Sequence, residues 1–110
     1  MFQISSSIAP AHLREKLDRG EKIVILDVRE RDEYDTVHLE NSVWIPLKEL
    51  PARMHELDPE EETVVLCHLG IRSFQAQLFL RGNGFTNVLN LSGGIDAWAV
   101  EVDPTLRRYR

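Results

Sequence analysis

The chain has 110 residues, of which 43% are hydrophobic and 28% charged, and a formal net charge of −5. That length supports one core but not two, so a single domain over residues 1–110 is expected, with the composition of an ordinary globular protein. The acidic balance, without a basic face or interleaved aromatic and basic residues, argues against nucleic acid as a partner, and no apolar run reaches the length of a membrane span. One cysteine cannot form an internal disulfide, which suits a reducing compartment. Met1–Ser5 has neither the basic start nor the apolar middle of a signal peptide, so a cytoplasmic location is expected. The basic end Arg107-Arg108-Tyr109-Arg110 reads as a frayed, solvated terminus.

From the N-terminus, Pro10 to about Arg19 reads as a helix, with proline in its first turn, Leu13 and Leu17 on one face, and Gly20 ending it. Ile23–Leu26 is a continuous apolar strand. Asp32–Asp35 is a short helical turn, and Val43–Ile45 a brief strand ended by Pro46. Leu47 to about Leu57 is helical, but Pro51 inside it implies two pieces or a kink. Glu60-Glu61-Glu62 is a solvated connection. Thr63–Leu66 is a β-branched, apolar central strand. Ser73 to about Arg81 is a helix with Phe74, Leu78 and Phe79 on one side, stopped by Gly82-Asn83-Gly84. Asn87–Leu89 forms another strand and Gly94 to about Val100 a last helix, with Trp98, like Trp44, assigned to the core. Strands alternating with helices over short connections imply an α/β fold, a central parallel sheet of four to five strands covered by helices on both faces.

The most informative segment is Cys67-His68-Leu69-Gly70-Ile71-Arg72-Ser73. It places the cysteine at the carboxyl end of a strand, on a tight loop feeding a helix N-terminus, where N–H groups and the helix dipole favour anions and a thiol is drawn towards thiolate. A cysteine in such a place can also be a small buried hydrophobe. The combination decides for a nucleophile in an anion cradle. Gly70 permits the backbone twist, Arg72 offers a fork of donors for an anion, and Ser73 can cap the following helix.

With those residues in view, the chain resembles the rhodanese-like (thiosulfate sulfurtransferase) domains. Leu26-Asp27-Val28-Arg29-Glu30, Glu33-Tyr34, His38-Leu39 and Ile45-Pro46-Leu47 are similar to the family's first signature, and Leu91-Ser92-Gly93-Gly94-Ile95-Asp96-Ala97-Trp98 to its last. Pro51-Ala52-Arg53, His55-Glu56-Leu57-Asp58-Pro59 and Glu101-Val102-Asp103-Pro104 look like the sulfurtransferase domains found at the C-terminus of adenylyltransferases that activate sulfur carriers. Val37 and Asn41 stand where many relatives have glycine.

The resemblance implies a rhodanese-type enzyme that carries sulfur as a persulfide on Cys67. Sulfur would come from thiosulfate or a protein persulfide such as a cysteine desulfurase, and go to cyanide, a small thiol or a sulfur-carrier protein. Backbone N–H groups from His68 to Ser73 would hold the anionic sulfur, with His68, Leu69, Gly70, Ile71, Arg72 and Ser73 as substrate-binding positions and Arg72 holding the donor's charge. Asp27 and Arg29 are expected to form a structural pair that supports the loop. No cofactor is expected. His12, His38 and His55 share no ligand spacing with Cys67, so no metal is expected either. Weak positive charge at the mouth argues for poor thiosulfate affinity. Without a second cysteine the acceptor must be external, and without a heptad or apolar stripe a monomer is expected. The rivals are a non-catalytic interaction module of the same fold and a cysteine phosphatase or arsenate reductase. The latter have five residues between cysteine and arginine, where this chain has four.

Overall fold

Apolar strands buried on both faces need a cover on each side, and the chain alternates strands with helices to supply it. The computed structural model describes residues 7–110; Met1–Ser5, read above for a targeting signal, lie outside the described residues. The elements run β1 (Ser7–Ile8), α1 (Pro10–Asp18), β2 (Val24–Asp27), α2 (Arg31–Thr36), β3 (Val43–Trp44), α3 (Leu50–Arg53), β4 (Thr63–Leu66), α4 (Ile71–Gly82), β5 (Val88–Leu91) and α5 (Gly94–Glu101). All strand pairs are parallel, in the order β1-β5-β4-β2-β3. The α/β architecture expected from the sequence is the one observed, with five strands among the described residues.

Alternation along β4 divides the core. Val64 and Leu66 pack with Leu13, Ile95 and Trp98 of α1 and α5 on one face, while Val65 and Cys67 pack with Ala76 and Leu80 of α4 on the other, the period of two that a strand imposes. Asp27 lies opposite Leu66 in the β2–β4 register. The carboxyl ends of these central strands therefore open at one edge of the sheet, where Cys67 follows Leu66.

Several local expectations are corrected. β1 was not foreseen; two residues carry too little pattern to register as a strand. The segment after Pro46 divides into a 3-10 turn at Leu47–Glu49, α3, and a second 3-10 turn at Met54–Glu56, with Pro51 in the first turn of α3. The buried side of α4 is Ser73, Ala76, Gln77 and Leu80, whereas Phe74 and Leu78 are exposed. Two polar core residues disguised the true face: Gln77 Nε2 donates to the Val88 carbonyl (2.9 Å). Trp98 is buried but Trp44 is only half-buried, stacked on Tyr34 (5.1 Å) and donating to the Arg29 carbonyl (2.8 Å). Within the acidic run, Glu62 is partly buried and pairs with Lys16.

Asp27 and Arg29 are both fully buried, 0% exposed, and joined by an ion pair with Nη2–Oδ2 at 2.7 Å. Removing one member leaves the other charge buried and unpaired, which costs about 3–5 kcal/mol. Asp27→Ala is therefore expected to lower the denaturant unfolding free energy by about that amount, while Arg14→Ala, in the exposed pair with Asp18, changes it negligibly. Equal effects from the two variants would contradict a structural role for the buried pair.

Candidate functional site

At the end of β4 the chain must turn sharply to enter α4, and Gly70 makes the turn. Its φ of +112° is in the region that favours glycine, and it is the N-cap residue of α4. The turn brings the Gly70 N–H to 3.0 Å from Cys67 Sγ. Ser73 does not cap the helix as expected from the sequence. It sits inside the first turn, fully buried, because its side chain turns inward to Cys67 Sγ (3.3 Å) and Asn90 Oδ1 (2.5 Å). Asn90 is fixed in turn by donating to the Gly70 carbonyl (3.0 Å). A hydroxyl has one proton to give. Asn90 holds it while the sulfur keeps its own proton, and a thiolate offers a charged acceptor beside it. One amide donor and the positive end of α4 thus face the sulfur, with the Ser73 hydroxyl beside it.

The loop is held from behind by the start of α5. Ile95 N–H donates to the Cys67 carbonyl (2.9 Å) and Asp96 N–H to the His68 carbonyl (3.2 Å). This approach requires Gly94. A Cβ there would lie 2.5 Å from the Cys67 oxygen and 2.4 Å from that of His68, and both are backbone atoms with no freedom to withdraw. Gly93 and Gly94 also have positive φ (+74° and +65°).

Cys67 is 1% exposed, reached through a small basin of about 130 Å³ lined by Cys67, His68, Leu69, Ile71 and Arg72. Leu69 and Ile71 present exposed aliphatic surface at its rim. Arg72 is committed to a carboxylate: Nη1 donates to Glu33 Oε1 (2.6 Å) and Nη2 to Glu33 Oε2 (2.8 Å). Glu33 also accepts from Tyr109 Oη (2.8 Å) and the Glu30 N–H (3.1 Å). The Arg72 bonds, against the opposing effect of burial, bring the Glu33 carboxyl down to about 2. The same pairing raises Arg72 above its ordinary value.

Tyr109 corrects the reading of the C-terminus as frayed. Its ring stacks on His68, centroids 4.1 Å apart at 17°, and its hydroxyl accepts from Arg29 Nη1 (3.0 Å). Burial, with the Glu33 contact, pushes its phenol up to about 12 despite Arg29. Arg108 pairs with Asp96 (2.8 Å). The tail docks because an aromatic ring and a phenol find partners in the loop and in α2. His68 Nε2 is buried beneath it without a hydrogen-bond partner.

The structure thus brings Cys67, His68, Leu69, Gly70, Ile71, Arg72 and Ser73 together, whereas Asp27 pairs with Arg29, and Arg29 bonds the Glu33 carbonyl and Tyr109. Sequence reasoning missed Asn90, Glu33 and Tyr109 as parts of the site. Asn90 left a signal, a polar residue inside the apolar run Val88-Leu89-Asn90-Leu91; Glu33 and Tyr109 left none beyond residue type. Among the described residues no group of three or more His, Cys, Asp or Glu is placed to hold a metal ion, and no helix is long and apolar enough to cross a membrane.

The parallel α/β fold that carries this strand-end cysteine is one that the chain shares with solved structures of a known family. The family model of the rhodanese-like domain matches residues 9–101. The chain is 34% identical over 106 residues to the probable adenylyltransferase/sulfurtransferase MoeZ of Mycobacterium tuberculosis, covering 94% of this chain but only 27% of MoeZ. It is 34% identical over 87 residues to a sulfurtransferase of Allochromatium vinosum, covering 79% of this chain and 81% of that one. A crystal structure of a rhodanese-related protein from Thermoplasma volcanium superposes with a TM-score of 0.79 at 34% identity, covering 87% of this chain and 92% of that one. The chain belongs to the rhodanese-like family.

Two outcomes follow from the site's geometry. Gly94→Ala is expected to destabilise the fold and displace the Cys67–His68 backbone, seen as shifted amide resonances confined to the loop and the start of α5; unshifted loop resonances would contradict the clamp. Glu33's folded-state value lies below its ordinary 4.5, so its contribution is present above about 4.5 and is lost as pH falls towards about 2. Thermal stability should decline across that window, and Glu33→Gln should flatten the decline.

Proposed function

We propose that this protein is a sulfurtransferase carrying sulfane sulfur as a persulfide on Cys67. The donor is thiosulfate or a protein persulfide such as that of a cysteine desulfurase, and the acceptor is an external thiol, cyanide or a sulfur-carrier protein. The observation that carries the reading is the Gly70 N–H aimed at Cys67 Sγ (3.0 Å) at the start of α4, with the Ser73 hydroxyl beside the sulfur (3.3 Å). Family membership and the names of the Allochromatium and Mycobacterium relatives support the same chemistry.

In the first half-reaction the Cys67 thiolate attacks the outer sulfur of the donor. A sulfur–sulfur bond forms on Cys67 while the donor's own sulfur–sulfur bond breaks, and that electron pair leaves on sulfite when thiosulfate is the donor. Charge balances, at −3 on each side, with no external oxidant. In the second half-reaction an acceptor nucleophile takes the terminal sulfur and returns the thiolate. The Gly70 N–H and the α4 dipole face the charge that sulfur carries in the thiolate state and supply the electrostatic part of catalysis. Asn90, through the Gly70 carbonyl, and Gly94 behind the loop keep the Gly70 donor in place. A cysteine cycling between thiolate and persulfide needs a reducing environment, which favours the cytoplasm. The phosphatase reading is disfavoured because Arg72 is paired with Glu33 instead of closing the loop around an oxyanion.

Intact-protein mass spectrometry tests the reading. After incubation with thiosulfate or with a persulfide-loaded cysteine desulfurase, the protein should gain one sulfur that reductant removes, and Cys67→Ser should gain none. Failure to gain sulfur from any donor would overturn it. Gly70→Ala, which strains the φ of +112° and displaces one donor, is expected to slow sulfur uptake about 100-fold with Cys67 intact.

A further inference from the structure

Resting on that sulfur-transfer reading, we propose that Glu33 is a specificity-determining residue. By holding Arg72 in a bidentate pair at the mouth of Cys67, it cancels the permanent cation lining the basin and turns the site away from small dianionic sulfur donors, towards sulfur presented on low-charge surfaces.

Three observations carry this. Arg72 is the only permanently charged residue among those lining the basin, and both of its terminal nitrogens already face Glu33 oxygens at 2.6 and 2.8 Å. The pair uses two of the five N–H groups, and any sulfonate that meets the other three does so beside a carboxylate that offsets the charge. Glu33 is itself fixed from sides an incoming donor does not reach, by Tyr109 Oη at 2.8 Å and the Glu30 N–H at 3.1 Å. These bonds hold it against Arg72, so a dianion approaches a pre-placed carboxylate in a chain of net charge −5. Finally, Leu69 and Ile71 at the rim are 56% and 73% exposed, a surface that penalises a solvated dianion and accommodates a persulfide flanked by apolar groups. Beyond His68 and outside the basin lie Arg108, which Asp96 occupies at 2.8 Å, and Arg110.

Glu33 acts through Arg72, as a positioning residue, and the test separates binding from chemistry. Glu33→Gln keeps an acceptor for the Glu30 N–H at Oε1 and places an amide N–H where Tyr109 Oη can accept, and glutamine serves at the third helical position as glutamate does, so the fold should persist. With thiosulfate as donor, Glu33→Gln is expected to lower KM about tenfold, with the change in KM rather than kcat. With a monoanionic alkyl thiosulfonate the fall should be about threefold or less. The KM of Glu33→Gln for thiosulfate should rise steeply with salt, as screening predicts for a newly bare cation. The double variant Glu33→Gln/Arg72→Gln should lose the gain.

An unchanged or raised thiosulfate KM in folded Glu33→Gln would overturn the proposal, as would a gain that survives in the double variant. Wild-type protein that takes up no sulfur from thiosulfate, thiosulfonate or a persulfide-loaded cysteine desulfurase would overturn the sulfur-transfer reading itself, and this proposal with it. Normal uptake with an unmoved KM would overturn this proposal alone.

Discussion

A guanidinium shut off from solvent must find an acceptor for each of its five N–H groups, and Arg29 finds all of them within one corner of the molecule. Nε and Nη2 meet the Asp27 carboxylate, Nη2 also meets the Val37 carbonyl (2.6 Å), and Nη1 meets the Glu33 carbonyl (3.2 Å) and Tyr109 Oη (3.0 Å). One buried charge thereby ties the end of β2 to both ends of α2 and to the C-terminal tail. The position of Glu33 follows, because its backbone is pinned by Arg29 and its side chain by Tyr109. The position of Arg72 follows from Glu33. Burial works against the charge on Arg29, but the bonds and charge of Asp27 outweigh it and hold the guanidinium above its ordinary value. A buried pair of this kind is weak evidence for net stability, since apolar residues of equal volume often do as well. Here its consequence is geometric.

The reactive loop is built on a second constraint, independent of the first. Strand β4 delivers Cys67 to the sheet edge, and close packing of α4 and α5 decides what surrounds it. The left-handed Gly70 aims an amide at the sulfur, Ser73 and Asn90 close the buried side, and Gly94 lets α5 press its first amides onto the Cys67 and His68 carbonyls. Donors placed before reaction need no reorganisation when charge develops. The two constraints meet at the mouth, where Tyr109 stacks on His68 and also bonds Glu33. Inside the basin the Gly70 amide therefore faces the sulfur, while at its entrance Arg72 already faces Glu33.

How much of this was legible in the sequence depended on the range of the interaction. The strand at Thr63–Leu66, the glycine turn and the strand-end position of Cys67 are local patterns, and they were readable from order alone. The pairing of Asp27 with Arg29 was readable too, since the two are neighbours on one strand end. Arg72 was readable as a charged residue of the loop that could hold a donor or pair with a carboxylate, but which carboxylate was not readable, because Glu33 is 39 positions away. Tyr109 lies 76 positions from Glu33, in a basic segment whose composition suggested a solvated end; no local pattern marks a residue whose role is made by docking. On α4, apolar residues at Phe74 and Leu78 imitated a core face, while Ser73 and Gln77, buried and hydrogen-bonded, imitated a surface one. Polar groups with buried partners are invisible to a hydrophobic pattern.

The most direct test of the account is a crystal structure of the wild-type protein after loading with sulfur. The account requires one added sulfur on Cys67 Sγ, seated inside the basin, with the Gly70 amide still facing sulfur and the Arg72–Glu33 pair intact. A loaded protein with sulfur elsewhere, or with the loop rebuilt and Arg72 turned from Glu33 onto the persulfide, would contradict the claim that this site is formed in advance around Cys67.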